Sequence, residues 1–167
     1  MKEDRALIND NAYDLIKLHG ADILASQTYR DLSKNIQHHN SNTFAHQVQV
    51  AVLAIMYARR YRIKVDVRSL IRAALLHDYY LYCWHDKAHR PKGHAHHHGE
   101  TAVANAKRDF GIDDFTAEIM IRHMWPINVF KFPRIKEAWI LVWADKKATM
   151  RELFGNTARV DRFERKK

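Results

Sequence analysis

Six side chains spread through the middle of the chain are of the types that hold transition metals: His46, His77, Asp78, His98, His123 and Asp145. Neutral imidazoles and carboxylates together suit borderline divalent ions. A carboxylate has two oxygens, so one aspartate can bridge two ions, whereas each of these imidazoles serves one ion. Asp78 directly follows His77, the other four candidates stand around this pair, and Asp78 is the natural bridge. The pattern predicts a metalloenzyme.

The local sequence around three of these residues indicates that they are buried. His77 and Asp78 follow the apolar residues Ala73–Leu76, and Asp145 follows the apolar stretch Ala138–Ala144. Burying a carboxylate without a partner is costly, and a bound metal would supply the compensating charge. The spacings also place the candidates on different helices or helix ends, as expected for a site in the core of a helical bundle.

The elements that must position these side chains are expected to be helices. The chain has three prolines and five glycines, and between them the apolar residues recur at spacings of three and four, the period of an amphipathic helix. We therefore predict an all-α bundle of about seven helices, formed by one domain over residues 1–167. Residues 1–35 are expected to supply packing helices, residues 43–150 the metal-binding core and residues 159–167 a basic tail.

Capping residues indicate where the central helices begin. Thr43 is expected to cap a long helix that has His46 in its first turn. Asp66 is expected to cap the next helix, which carries His77 and Asp78 at its C-terminal end. Two of the candidate ligands would thus extend from a single helix end into the core.

The interval Leu81–Gly99 loses the helical period and is rich in histidine and basic residues. It is too long for a simple connection between helices, and we predict a functional loop there. The elements expected after it are a helix over about Gly99–Phe110 ended by Gly111, a helix from a cap at Asp113 to about His123, a loop between Pro126 and Pro133, and a last helix from about Arg134.

In their order, the six residues resemble the ligand pattern of the HD superfamily of metal-dependent hydrolases, and compact bacterial HD proteins most closely. The resemblance covers about Thr43–Thr149. It is carried by His46, by the segment Ala-Leu-Leu-His-Asp that ends at Asp78, and by the late Ala-Asp that ends at Asp145. The two intervening histidines are typical of the HD subset with a two-metal site. The resemblance implies five or more helices around a dinuclear centre.

Because His96, His97 and His98 are adjacent, the sequence does not determine which of them belongs to this ligand set. His98 is preferred because it begins a helical pattern with Ala102 and Asn105, and His97 is the alternative. The expected arrangement is His46, His77 and Asp145 on one ion, His98 and His123 on a second, and Asp78 joining the two.

Ligand counting on this arrangement predicts a chemistry. Coordination positions remain for water and substrate. The charge of two divalent ions exceeds the negative charge of the two carboxylates, and the net positive charge attracts a phosphate. The expected cofactors are two divalent transition-metal ions, Fe, Mn, Zn, Co or Ni. The expected reaction is phosphohydrolysis of a small phosphorylated metabolite or nucleotide by hydroxide attack on phosphorus.

A further set of residues flanks the expected ligands in sequence. The candidates for catalysis are Asp78, Lys146 and His94. The candidates for substrate binding are His39, Thr43, Lys92 and Trp125, with Lys87, His89 and Arg90 as a basic rim and Trp84 as a second ring that could stack on a base. Each also has an ordinary structural interpretation, which for the tryptophans is hydrophobic packing.

The overall charge limits the kinds of partner that we expect. A formal net charge of +9 favours anionic partners, and the chain lacks an evident recognition helix or basic stretches interleaved with aromatics, so nucleic acid is not expected as the main partner.

The single cysteine, Cys83, fits a reducing compartment, and we expect a cytoplasmic protein. The apolar stretches are too short for membrane insertion. The sequence leaves the oligomeric state open.

Two other functions fit the same six residues. The ligand types also resemble the di-iron centre of HD-fold oxygenases such as inositol oxygenase. A non-catalytic HD module that senses a nucleotide would keep the metal site without turnover. Within the hydrolases, the chain length, the spacing of His98 and Ala102, and the turn Phe110-Gly111-Ile112 resemble HD enzymes that split diadenosine tetraphosphate symmetrically, which makes nucleotide substrates plausible.

Overall fold

The computed structural model describes residues 12–35, 41–83, 85–86, 88 and 91–154, and over these ranges it contains helices and no strand. The all-α prediction is therefore confirmed, and the described ranges contain eight α-helices where about seven were expected. In chain order they are α1 (residues 12–19), α2 (Ala21–Ala25), α3 (Gln27–Arg30), α4 (Thr43–Arg60), α5 (Val67–Leu76), α6 (His94–Phe110), α7 (Asp114–Ile121) and α8 (Lys136–Leu153), with a 3₁₀ turn at Asp31–Lys34. None of the helices described combines the length and the apolar character that crossing a lipid bilayer requires.

Helix α4 is the central element, because every residue from Thr43 to Ile55 is buried and the helix packs against both α5 and α8. The prediction that Thr43 caps this helix is wrong. Asn42 is the cap, and its side chain accepts a hydrogen bond of 2.8 Å from the N–H of Ala45. Asparagine caps as well as threonine does, and the Thr43 hydroxyl instead donates to the carbonyl oxygen of Asn35 at 3.4 Å.

Helix α5 carries the adjacent histidine and aspartate into the core. Asp66 caps it as predicted and accepts from the N–H of Ser69 at 2.8 Å. All residues from Ser69 to Leu76 are buried, and the helix packs against α4, α6, α7 and α8. His77 is its C-terminal cap residue, so the chain leaves α5 in the middle of the bundle.

Helix α6 begins at His94, five residues before the start expected at Gly99. Histidines give no apolar period, so the sequence from His94 to His98 resembles a loop although it forms the first turn and a half of the helix. The start follows Gly93, whose φ of 74° lies in the left-handed region, and the end at Gly111, with φ of 56°, is the predicted stop.

The last two helices are close to their predicted bounds. Asp113 caps α7 and accepts from the N–H of Thr116 at 2.7 Å. Helix α7 ends at Ile121, so His123 lies in the turn that follows it. Helix α8 begins at Lys136, two residues after the expected start at Arg134.

Gly20 allows the N-terminal helices to approach α5 closely. A Cβ at this position would lie 2.5 Å from Cδ1 of Leu75 and 3.0 Å from the carbonyl oxygen of Ile16. Leu75 is fully buried and has little room to move. We expect Gly20→Ala to lower the free energy of unfolding by about 1–3 kcal/mol, the usual cost of overpacking a core. Urea denaturation measures this, and an unchanged midpoint would show that the interface adapts freely.

Candidate metal centre

The six predicted residues converge in the core and form two groups of three. In each group the potential ligand atoms lie within 4.8 Å of one another. Helices α4, α5, α6 and α8 and the turn after α7 each contribute. The first group is His46, His77 and Asp145, and the second group is Asp78, His98 and His123.

Asp78 belongs to the second group but also faces the first, with one carboxylate oxygen directed to each side. Its Oδ1 is 3.5 Å from Nε2 of His98 and 3.6 Å from Nε2 of His123, both in the second group. Its Oδ2 is 3.6 Å from Nε2 of His77 in the first group. This is the arrangement that a bridging carboxylate requires, since the two oxygens of one side chain serve two positions.

Main-chain hydrogen bonds orient two of the imidazoles. His77 donates from Nδ1 to the carbonyl oxygen of Ala74 at 2.9 Å, and His123 donates from Nδ1 to that of Met120 at 2.6 Å. With the proton on Nδ1, each ring directs the lone pair of Nε2 into the centre, which is the tautomer that a metal ligand needs.

The structure distinguishes the two neighbouring histidines at the start of α6. His98 is 5% exposed and its Nε2 is 2.9 Å from Nε2 of His123, whereas the side chain of His97 is exposed. The ring of Tyr80 packs edge-on against His98 at a centroid distance of 5.9 Å. Geometry therefore brings His98, and not His97, into the second group.

The first group contains a hydrogen-bonded chain of carboxylate, imidazole and carboxylate. Nε2 of His46 is 3.2 Å from Oδ1 of Asp145, and Nδ1 of His46 is 3.1 Å from both oxygens of Glu152. His46 is completely buried and Glu152 is 1% exposed. Sequence reasoning missed Glu152, although it follows Asp145 by seven residues and so lies on the same face of α8.

The packing of the first group shifts the pKa values of His46 and Asp145 in the metal-free chain. Burial lowers the pKa of His46, but the hydrogen bonds to Asp145 and Glu152 have the larger combined effect and raise it to about 10. His46 therefore carries a proton on Nε2 that faces Asp145. Burial raises the pKa of Asp145, but the hydrogen bond from His46 and the nearby His77 lower it below the usual range. In the metal-free chain the positive charge of His46 is offset by the two carboxylates that contact it.

The second group is arranged around an ionised aspartate and a neutral imidazole. Burial raises the pKa of Asp78, but His77, His98 and His123 around it lower it to about 2. Burial, with His98 and His77 nearby, lowers the pKa of His123 to about 3. His123 is therefore neutral at physiological pH, and its Nε2 accepts a hydrogen bond from Nε2–H of His98 in the metal-free chain.

The separations between potential ligand atoms fit a transition-metal ion. Two ligand atoms on one ion with bonds of about 2.1 Å lie roughly 3.0–3.4 Å apart. Five of the six pairs within the groups measure 2.9–3.8 Å, and the sixth, His46 with His77, lies within 4.8 Å. In addition, Nε2 of His77 is buried and makes no hydrogen bond to any residue that the structure describes. Such an atom is costly unless an unseen partner satisfies it, and a metal ion suits a neutral imidazole.

The other residues that the sequence indicated as candidates are not members of either group. Thr43 lies one turn before His46 on α4 and is completely buried, and Lys146 is half-buried next to Asp145. Lys92 is exposed just before α6. The predictions that fall outside the described residues are those for His39, Trp84, Lys87, His89, Arg90 and the tail 159–167, and the side chain of His94 is also outside the described part.

Trp125 is held by aromatic packing. Its ring lies edge-on to Phe132 and Trp139, at centroid distances of 5.7 and 4.9 Å. These contacts account for its position without a substrate, which is the structural interpretation that the sequence also allowed.

A family model for the HD domain matches residues 43–150, which include all six residues of the centre. The chain belongs to the HD domain family. HD domains bind divalent metals, and metal-dependent phosphohydrolysis is the general activity of the family. Searches of curated proteins and of solved structures gave no match for this HD protein. The match ends at residue 150, and Glu152 lies beyond it.

Proposed function

We propose that this HD protein is a phosphohydrolase that uses two divalent transition-metal ions to hydrolyse a small phosphorylated metabolite or nucleotide. The observation that carries the proposal is the position of Asp78, whose Oδ1 faces His98 and His123 and whose Oδ2 faces His77 of the other group. A site for a single ion would not need a carboxylate turned to both sides.

The assignment of ligands follows the two groups. His46, His77 and Asp145 would hold one ion, His98 and His123 would hold the other, and Asp78 would join them. When bound, the ions lower the pKa of water toward neutrality and neutralise charge on phosphate oxygens. The protein supplies orientation, because main-chain carbonyls fix His77 and His123 while Glu152 fixes His46.

The proposed substrate class follows from charge. Two divalent ions outweigh the carboxylates of Asp78, Asp145 and Glu152, so the loaded site attracts an anion. Lys146 next to Asp145 and Lys92 before α6 are proposed to contact phosphate oxygens, and Lys146 is also a candidate to give a proton to the leaving group. The formal net charge of +9 favours the approach of an anionic molecule.

The test begins with the metal content of untagged protein. After elemental analysis, the protein is treated with a chelator and Mn, Fe, Co, Ni or Zn is restored. The restored protein is then assayed against a panel of phosphomonoesters, phosphodiesters and nucleotides. Metal-dependent release of phosphate or of a nucleotide product supports the proposal. Iron with oxygen uptake in the presence of a substrate would instead indicate an oxygenase, and tight nucleotide binding without product would indicate a sensing module.

A further inference from the structure

A buried carboxylate outside the matched residues contacts the candidate metal centre. Glu152 lies on α8, beyond the match at 43–150, and both of its oxygens are 3.1 Å from Nδ1 of His46. Asp145 on the same helix is 3.2 Å from Nε2 of that ring. Two carboxylates separated by two helical turns therefore hold the two nitrogens of one imidazole.

The partner of His46 differs from those of the other oriented imidazoles. His77 and His123 donate from Nδ1 to main-chain carbonyls, which are neutral, whereas His46 donates to a carboxylate. A carboxylate partner fixes the ring, keeps the proton on Nδ1 and makes Nε2 a stronger metal ligand. The negative charge of Glu152 also adds to that of Asp145 beside the same group.

We propose that Glu152 is a positioning residue that makes the group His46, His77 and Asp145 the tighter of two cation positions. The inference rests on the proposed function only in requiring that the centre binds divalent ions. The second group contains one carboxylate, Asp78, and that side chain faces both groups. The first equivalent of a divalent ion is therefore expected at the group next to Glu152.

The experiment measures Mn²⁺ binding to the chelator-treated full chain by titration calorimetry. Wild type is expected to show a tighter and a weaker class of site. Glu152→Gln keeps the size of the side chain and removes its charge. We expect its tighter class to weaken by about 10–100-fold, the usual effect of losing such a partner, while the weaker class is unchanged.

Glu137→Gln is the matched control. Glu137 is another carboxylate of α8 and is 3% exposed, but it accepts from the main-chain N–H of Asp66 at 3.2 Å and not from a histidine. We expect this variant to bind Mn²⁺ in both classes as wild type does. Both variants are compared with wild type by thermal unfolding of the metal-free chain, which reports any purely structural loss.

The outcomes separate a positioning role from a structural one. If Glu152→Gln unfolds at a lower temperature but titrates as wild type does, Glu152 is structural and the inference fails. Glu152→Asp retains the charge but is one methylene shorter and reaches Nδ1 of His46 less well. We expect it to weaken the tighter class of site alone, and by less than Glu152→Gln does. It also carries the test if the Gln variant does not fold, since a loss equal in both classes, or none, overturns the inference. A wild-type chain that binds Mn²⁺ without phosphohydrolysis contradicts the proposed function alone.

Discussion

Asp78→Ala is expected to lose both metal ions and with them the phosphohydrolase activity. Because each oxygen of this carboxylate faces a different group, its removal takes a ligand from both positions at once. We expect the affinity for Mn²⁺ to fall in both classes of site by more than about 100-fold, the upper end of the effect of losing a residue that only orients a ligand. Elemental analysis after gel filtration, with assay of phosphate release, measures the loss.

Two aspartates provide controls for this result. Asp145→Ala removes a residue of the first group only, and we expect it to weaken one class of site more than the other. Asp109→Ala removes a carboxylate that pairs with Arg108 and Tyr79, outside both groups, and should leave metal content unchanged. Equal metal occupancy in Asp78→Ala and wild type would refute the bridging role, provided that both chains have the same circular dichroism spectrum.

The sequence predicts most of the centre because buried polar residues are costly and therefore informative. His77 and Asp78 follow a run of apolar residues that the structure shows to be completely buried. Asp145 follows the apolar stretch Ala138–Ala144, which is buried apart from Trp139 and Trp143. A polar side chain at the end of such a run needs a partner, so its position in the core could be inferred without knowing the fold.

Glu152 could not be found in the same way. It lies in the polar segment that follows Asp145, where lysine and arginine outnumber apolar residues, so no apolar run marks it as buried. The available signal was helical spacing, because Asp145, Ala148 and Glu152 fall on one face of α8 and the last two are buried. Its contact with His46 depends on how α4 and α8 pack, which local sequence does not determine.

The start of α6 was not predicted from the sequence for a different reason. Helix periodicity is visible only where apolar residues face a core, and the first turn of α6 consists of histidine and alanine. The strongest local features were Pro91 and Gly93, which indicate a turn and were compatible with a loop continuing to Gly99. The structure places His98 on a helix where His97 is exposed, so His98 and not His97 joins the second group.

His98→Ala and His97→Ala are therefore expected to differ sharply although the residues are neighbours. His98 is 5% exposed and contacts both Asp78 and His123, whereas the side chain of His97 is exposed. We expect His98→Ala to lose the weaker class of Mn²⁺ site and to reduce phosphohydrolase activity by more than about 100-fold. His97→Ala should stay within about two-fold of wild type, as for most surface substitutions.

The same pair of variants also separates the two cation positions. In His98→Ala the first group keeps all three of its members, His46, His77 and Asp145. The tighter class of Mn²⁺ site should then remain, and the chelator-treated variant should still be stabilised against heat by Mn²⁺. If His97→Ala, and not His98→Ala, lost the weaker class, the second group would be assigned to the wrong histidine. If His98→Ala lost both classes together, the two positions would bind as one unit, and the separate affinities argued from Glu152 would be wrong.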